Sequence, residues 1–191
     1  MMPESYLKYL ISTCNKFARR HDIFDIVLYG SSVKGEEGRD IDILLVFSNK
    51  NLEERTETSQ KLKETLKEKI KKIDMRTINL DELFDSSFLA RQGIFIEGYS
   101  LLHKSPFSKR LGFVGHALFH YNLKKLSHNE KTKFIYALSG RKTEGLIKKI
   151  KAEHLGKGVV LVPIEKSKVF ENFLQQWKIT YKNKNLLVSS L

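Results

Sequence analysis

A single cysteine, Cys14, stands in 191 residues. That excludes an intrachain disulfide and any metal centre built on several thiolates, and it suits a reducing cytoplasm. Long apolar runs are missing too. None approaches the ~20 residues of a membrane-spanning helix, so no membrane partner is expected. The first ten residues carry Glu4 and no unbroken apolar stretch, which is not the pattern of a secretory signal. Acidic residues are scarce in one region only. Residues 104–191 hold 18 Lys+Arg against five Asp+Glu, a balance of +13, whereas residues 1–103 hold 16 against 17. A basic part beside a neutral part reads as a surface for a polyanion rather than as charge spread for solubility. What is present in quantity is apolar side chain: 41% of the sequence, enough for a packed core and too much for a disordered chain.

Hydrophobic spacing orders the chain into elements. Leu7, Leu10, Ile11, Cys14, Phe17 and Ala18 recur at three- and four-residue steps and predict a helix over 5–20. Residues 24–29 form an apolar strand pattern that stops at Gly30. A polar, glycine-punctuated stretch leads to a second strand over 41–47. Leu62, Leu66 and Ile70 predict a helix within 52–72, whose Glu and Lys residues form a solvated face. A third strand is expected over 73–78 and a helix over 81–91 broken by Gly93, with short extended pieces at 94–96 and 99–102. Ser105-Pro106 marks the expected boundary, giving domains 1–104 and 105–191. Beyond it, residues 113–123 fit strand or helix equally. Ser127 and Glu130 have capping-box spacing ahead of a helix through Leu138, ended by Gly140. A short basic helix over 143–153, a strand over 158–162, a helix over 165–177 and one or two strands over 179–188 follow.

The chemistry concentrates near the second strand. Asp40 and Asp42 are two residues apart, so a strand places them on one face while Ile41 and Ile43 point into the core. Carboxylates side by side repel each other, and a divalent cation is the usual compensation. Oxygen-only ligands suit Mg²⁺ or Mn²⁺. Just upstream, Gly30-Ser31 lets the backbone approach a phosphate, Ser31 and Ser32 add hydroxyls, and Lys34 and Arg39 flank the loop with positive charge. Ser32 equally suits a helix cap and both cations suit solvent. A phosphate cradle next to a metal strand is what phosphoryl or nucleotidyl transfer requires. Asp74, in Ile73-Asp74-Met75, reaches the same site if its strand neighbours the second.

Leu28-Tyr29-Gly30-Ser31-Ser32-Val33-Lys34-Gly35, followed by Asp40-Ile41-Asp42-Ile43-Leu44-Leu45-Val46, resembles the signature of the DNA polymerase beta-type nucleotidyltransferase superfamily. The short form is similar to the minimal nucleotidyltransferases of archaea and bacteria, and the resemblance spans about residues 5–103. It implies an α/β (α+β) fold with a palm-like mixed sheet flanked by helices, followed here by a smaller basic α+β domain. It further implies a nucleoside triphosphate and two Mg²⁺ ions. By position, Gly30 and Ser31 would bind the triphosphate and Asp40 and Asp42 the metals. Asp74 would be the third carboxylate, helping to deprotonate an attacking hydroxyl. The expected activity is transfer of a nucleoside monophosphate to an acceptor hydroxyl with release of pyrophosphate. The acceptor expected is nucleic acid. The alternatives are a protein AMP-transferase of the antitoxin type, or a nucleic-acid-binding module that keeps the fold without turnover.

The acceptor expectation rests on the basic part. Lys124, Lys125, Arg141, Lys142, Lys148 and Lys149 cluster near Phe119, Tyr121 and Tyr136, as suits a phosphate backbone and stacked bases. His116 and His120, four apart, lack the further ligands that a zinc site needs. Gly156-Lys157-Gly158 is a tight turn before a strand rather than a Walker motif. Phe170, Phe173, Leu174 and Trp177 fit one helical face turned to the core.

Overall fold

The computed structural model describes residues 4–30, 33 and 40–190. The chain divides into two compact units, Met1–Gly112 and Phe113–Leu191. The first contains α1 (Glu4–Ala18), β1 (Asp25–Tyr29), β2 (Ile41–Phe47), α2 (Leu52–Lys67), β3 (Ile73–Asn79), α3 (Arg91–Glu97), β4 (Tyr99–Ser100) and β5 (Ser105–Pro106). Single 3₁₀ turns lie at Glu82–Phe84 and Phe107–Leu111.

The five strands form one mixed sheet in the order β3-β2-β1-β4-β5. Strands β2 and β3 are parallel and the other neighbours antiparallel. A parallel pair needs a long crossover, and α2 supplies it. Asn51 starts that helix: its side chain accepts from the Glu54 amide at 2.9 Å, and the Glu54 carboxylate accepts from the Asn51 amide at 3.3 Å.

Both faces of the sheet are covered, which is why β1 and β2 read as nearly continuous apolar runs. On one face Ile26, Leu28, Ile43, Leu45 and Phe47 pack with Leu10 and Cys14 of α1 and Leu62 and Leu66 of α2. On the other, Val27, Leu44 and Val46 pack with Leu83, Ile94 and Phe107. Each fully buried Leu or Ile contributes about 1.5–3 kcal/mol by leaving water. The mixed α/β architecture is the one expected.

Several details differ from expectation. Residues 81–90 form a 3₁₀ segment and turns, and the helix starts at Arg91, with Gly93 inside it. Ile94-Phe95-Ile96 is therefore helical, and Ile94 is buried against the sheet. The change of unit falls after Gly112, not after residue 104. Pro106, lacking an amide hydrogen, sits on the outermost strand, where none is required. Beyond it Phe107 is buried in the first unit's core and Arg110 pairs with Asp25.

That pair is part of a buried polar knot. Asp25 is fully buried at the start of β1. Its carboxylate accepts from the Ile26 amide at 2.8 Å, from Ser100 Oγ at 2.7 Å and from Arg110 Nη1 at 2.9 Å. Arg110 also lies over the Phe24 ring, 4.7 Å from its centroid. The knot ties β1, β4 and the last turn of the unit together.

The second unit contains β6 (Phe113–Tyr121), α4 (His128–Ser139), α5 (Leu146–Lys149), β7 (Glu153–Gly156), β8 (Val159–Pro163), α6 (Ser167–Gln176) and β9 (Tyr181–Ser189). Residues 113–121 resolve as a strand, because Gly115, Ala117, Phe119 and Tyr121 are buried at a period of two. The sheet order is β7-β8-β6-β9, antiparallel throughout. Ser127 and Glu130 form the expected capping box. The basic helix expected over 143–153 shrinks to four residues: the chain turns at Lys151, whose φ is +56°, and Glu153 opens β7. Among the described residues, no helix is long and apolar enough to cross a membrane.

Candidate active site

Strand β1 ends at Tyr29, and Gly30 follows with φ +71°, a backbone region that side chains rarely adopt. A second restriction coincides with the first: a Cβ at position 30 would collide with Oδ2 of Asp42. Only glycine satisfies both. Its missing side chain lets the Asp42 carboxylate lie against the backbone.

Asp42 faces that backbone because of strand register. It lies opposite Tyr29 on antiparallel β1 and beside Asp74 on parallel β3. Partners in register share a face, so Tyr29, Asp42 and Asp74 form one row across three strands. The neighbouring Ile41 and Ile43 turn to the face of α1 and α2. Asp40 is exposed and precedes β2 by one residue.

Burial raises the Asp42 carboxyl above the ordinary carboxylate range, and the negative charges of Asp74 and Asp40 push in the same direction, against Arg76. Burial likewise raises the Tyr29 phenol, which stays protonated. Arg76 Nε lies 3.6 Å from Asp74 Oδ2. This arginine went unnoticed in sequence. Its signal was the i, i+2 spacing that puts it on the Asp74 face of β3.

The row is a local excess of negative charge with oxygen-only donors. That donor set, with the Asp42 carboxylate lying directly against the Gly30 backbone, fits a hard divalent cation. Among the described residues, no three His, Cys, Asp or Glu side chains gather as a metal cage. The strands juxtapose Asp42 and Asp74, with Asp40 at the head of β2. Ser31, Ser32, Lys34 and Arg39 lie outside the described residues. A groove of about 770 Å³ runs instead along the outer side of α2 by Leu52, Thr56 and Gln60, away from these carboxylates. Its charged, solvated lining offers no comparable chemistry.

In the second unit the six basic candidates do not form one cluster. Lys124 and Lys125 follow β6, at the sheet end where β8 and β9 begin. Arg141, Lys142, Lys148 and Lys149 follow α4, which returns the chain toward the other end. Arg141 lies over the Tyr136 ring at 4.8 Å. His116 and His120 share a face of β6 but stand about 13 Å apart along an extended strand, too far for one metal. Gly156-Lys157-Gly158 is the turn between β7 and β8, and Gly158 has φ +74°.

Residues 12–98 match the family model described as "Polymerase beta, Nucleotidyltransferase". No curated protein matches the chain. Solved structures similar to it include the tri-AMPylated Shewanella oneidensis HEPN toxin in complex with MNT antitoxin, at 22% identity over 55% of this chain and 78% of that one, with a TM-score of 0.38. A toxin–antitoxin structure with AMP-PNP is 24% identical over 53% of this chain and 78% of that one, with a TM-score of 0.39.

Proposed function

Because residues 12–98 are a nucleotidyltransferase domain of the polymerase beta family, we propose that this chain moves a nucleoside monophosphate from a nucleoside triphosphate to a hydroxyl on nucleic acid, releasing pyrophosphate. The observation that carries this reading is the row Tyr29–Asp42–Asp74 beside left-handed Gly30. Asp42 and Asp74 would hold Mg²⁺ or Mn²⁺, with Asp40 as a further donor; two ions belong to the active complex. A bound divalent cation supplies neutralisation of phosphate charge and a lower pKa for the attacking hydroxyl.

The chain's own residues do the rest. Gly30 admits a phosphate close to the backbone, Ser31 and Ser32 donate hydrogen bonds to it, and Lys34 offsets its charge. Asp74 accepts the proton of the acceptor hydroxyl, and Arg76 steadies that carboxylate. The hydroxyl oxygen bonds to the α-phosphorus. The bond from that phosphorus to the bridging oxygen breaks, and pyrophosphate leaves with the electron pair. The balance of +13 over residues 104–191 supports nucleic acid as the acceptor.

The test is incubation of the chain with Mg²⁺ and each labelled nucleoside triphosphate, in the presence of RNA, single-stranded DNA or cell protein. Label on nucleic acid with stoichiometric pyrophosphate is expected. Asp42→Asn should lower it at least about a hundredfold, because even residues that merely orient metal ligands are worth ten- to a hundredfold. Label on protein alone would replace the acceptor. No label and no pyrophosphate with any nucleotide would sink the reading.

A further inference from the structure

The second unit follows the order strand–helix–strand–strand–helix–strand, apart from the short α5, with β6 and β8 at the centre of its sheet. This is the split βαβ arrangement, which puts both long helices on one face. Here Phe134 and Leu138 of α4 and Phe170 and Leu174 of α6 pack on Phe119 and Val160. Strand alternation therefore turns His116, Leu118 and His120 to the opposite face.

The register extends that face sideways. Leu118 lies between Leu161 of β8 and Lys184 of β9, and His120 between Val159 and Lys182. None of these side chains belongs to the buried cluster of the unit. His120, Lys182 and Lys184 are exposed, and Leu118 and Leu161 are half-covered. The result is a strip of flat and aliphatic side chains on the central strands, bordered by Lys182 and Lys184 on edge strand β9, with Glu153 beside Leu161 on the opposite edge strand β7. Where β6 leaves the sheet, Lys124, Lys125 and Lys157 add more positive charge at the rim.

We propose that this sheet face binds single-stranded nucleic acid, with bases lying on the His116–Leu118–His120 strip and the backbone tracking Lys182 and Lys184. Unstacked bases offer flat rings to imidazole and aliphatic surface, while phosphates meet the lysines. A duplex hides its base faces and would meet only the lysines. The proposal rests on the reading of nucleic acid as acceptor, and it locates where the acceptor strand is held.

The experiment is fluorescence anisotropy of the full chain with a labelled 12-nucleotide mixed-sequence RNA, the matching DNA and the matching duplex, without nucleotide or metal. Single strands should bind more tightly than the duplex. Lys182→Glu with Lys184→Glu should weaken binding at least about tenfold and flatten its salt dependence. His120→Ala should weaken it about five- to a hundredfold, the range of one lost stacked base, and His120→Phe should restore it. Lys67→Glu with Lys71→Glu, the same charge change in the first unit, controls for net charge. Equal losses in both double variants overturn the proposal, as does duplex binding as tight as single-strand binding. Wild-type chain that binds none of the three oligomers overturns it as well, as does a concentration-dependent dimer abolished by Lys182→Glu. Binding without label transfer removes the acceptor reading and leaves the sheet face standing; label transfer without binding on the sheet does the reverse.

Discussion

Oδ2 of Asp42 occupies the place where a side chain on Gly30 would begin. The glycine at the end of β1 and the carboxylate on β2 therefore sit in a contact that any side chain at position 30 would break. Gly30→Ala tests this directly. A left-handed alanine costs about 1–2 kcal/mol before the collision is counted. Lower stability should accompany loss of nucleotidyl transfer, read by urea titration and pyrophosphate release. Wild-type turnover in a folded Gly30→Ala chain would show that this close approach is not needed.

The paired carboxylates predict a conflict between stability and binding. Without metal, Asp42→Asn removes repulsion across the β2–β3 register and its Tm should rise, whereas Asp74→Asn also gives up the Arg76 pairing and its Tm should change less. Added Mg²⁺ or Mn²⁺ should raise the Tm of the wild-type chain, by linkage to the folded state, and not that of the double variant. Equal metal-induced shifts in the two proteins would rule out this pair as the cation site.

Arg110 predicts a loss out of proportion to its place near the end of the unit. Arg110→Ala leaves the fully buried Asp25 carboxylate without its cation. Breaking one side of such a pair costs about 3–5 kcal/mol, and the partial exposure of Arg110 favours the lower figure. Asp25→Asn combined with Arg110→Leu should cost less than Arg110→Ala, because no charge is stranded. Urea unfolding compares the three, and a double variant weaker than the single one would refute the argument.

Burial pushes the Cys14 thiol up to about 12 from 9.0. A raised pKa means that the folded chain holds the thiol proton more tightly than the unfolded chain. The associated stability is complete below pH 9 and is lost as pH climbs toward 12. Thiol reagents at pH 8 should leave the native chain unmodified and label it fully in denaturant. Rapid native labelling at Cys14 would contradict the buried placement.

How much was legible in sequence varied with the range of the cause. Ile41–Phe47 was read to the residue, because alternation of Asp42 with Ile41 and Ile43 is a local pattern. The second capping box was equally local, since Ser127 and Glu130 bond to each other. Gly93 misled: a glycine inside a helix costs only about 1 kcal/mol, and burial of Ile94 against the sheet outweighs it. Strand β7 escaped notice because Glu153, His154 and Leu155 are all exposed, leaving no apolar period. The unit boundary was misplaced because the Arg110–Asp25 pairing joins residues far apart in sequence. The Asp42–Asp74 adjacency was only conditional from sequence, since it depends on which strands become neighbours.

That adjacency also sets an order of events in time. Strands β1 and β2 pair antiparallel across a single connection. Parallel β3 can join only after the whole of α2 has folded back across the sheet, and closing the longer loop costs more entropy. During synthesis Asp40 and Asp42 therefore emerge and pair with β1 well before Asp74 arrives. The nascent chain passes through a stage with only part of the acidic row and none of its function, and the row is completed only when β3 joins β2.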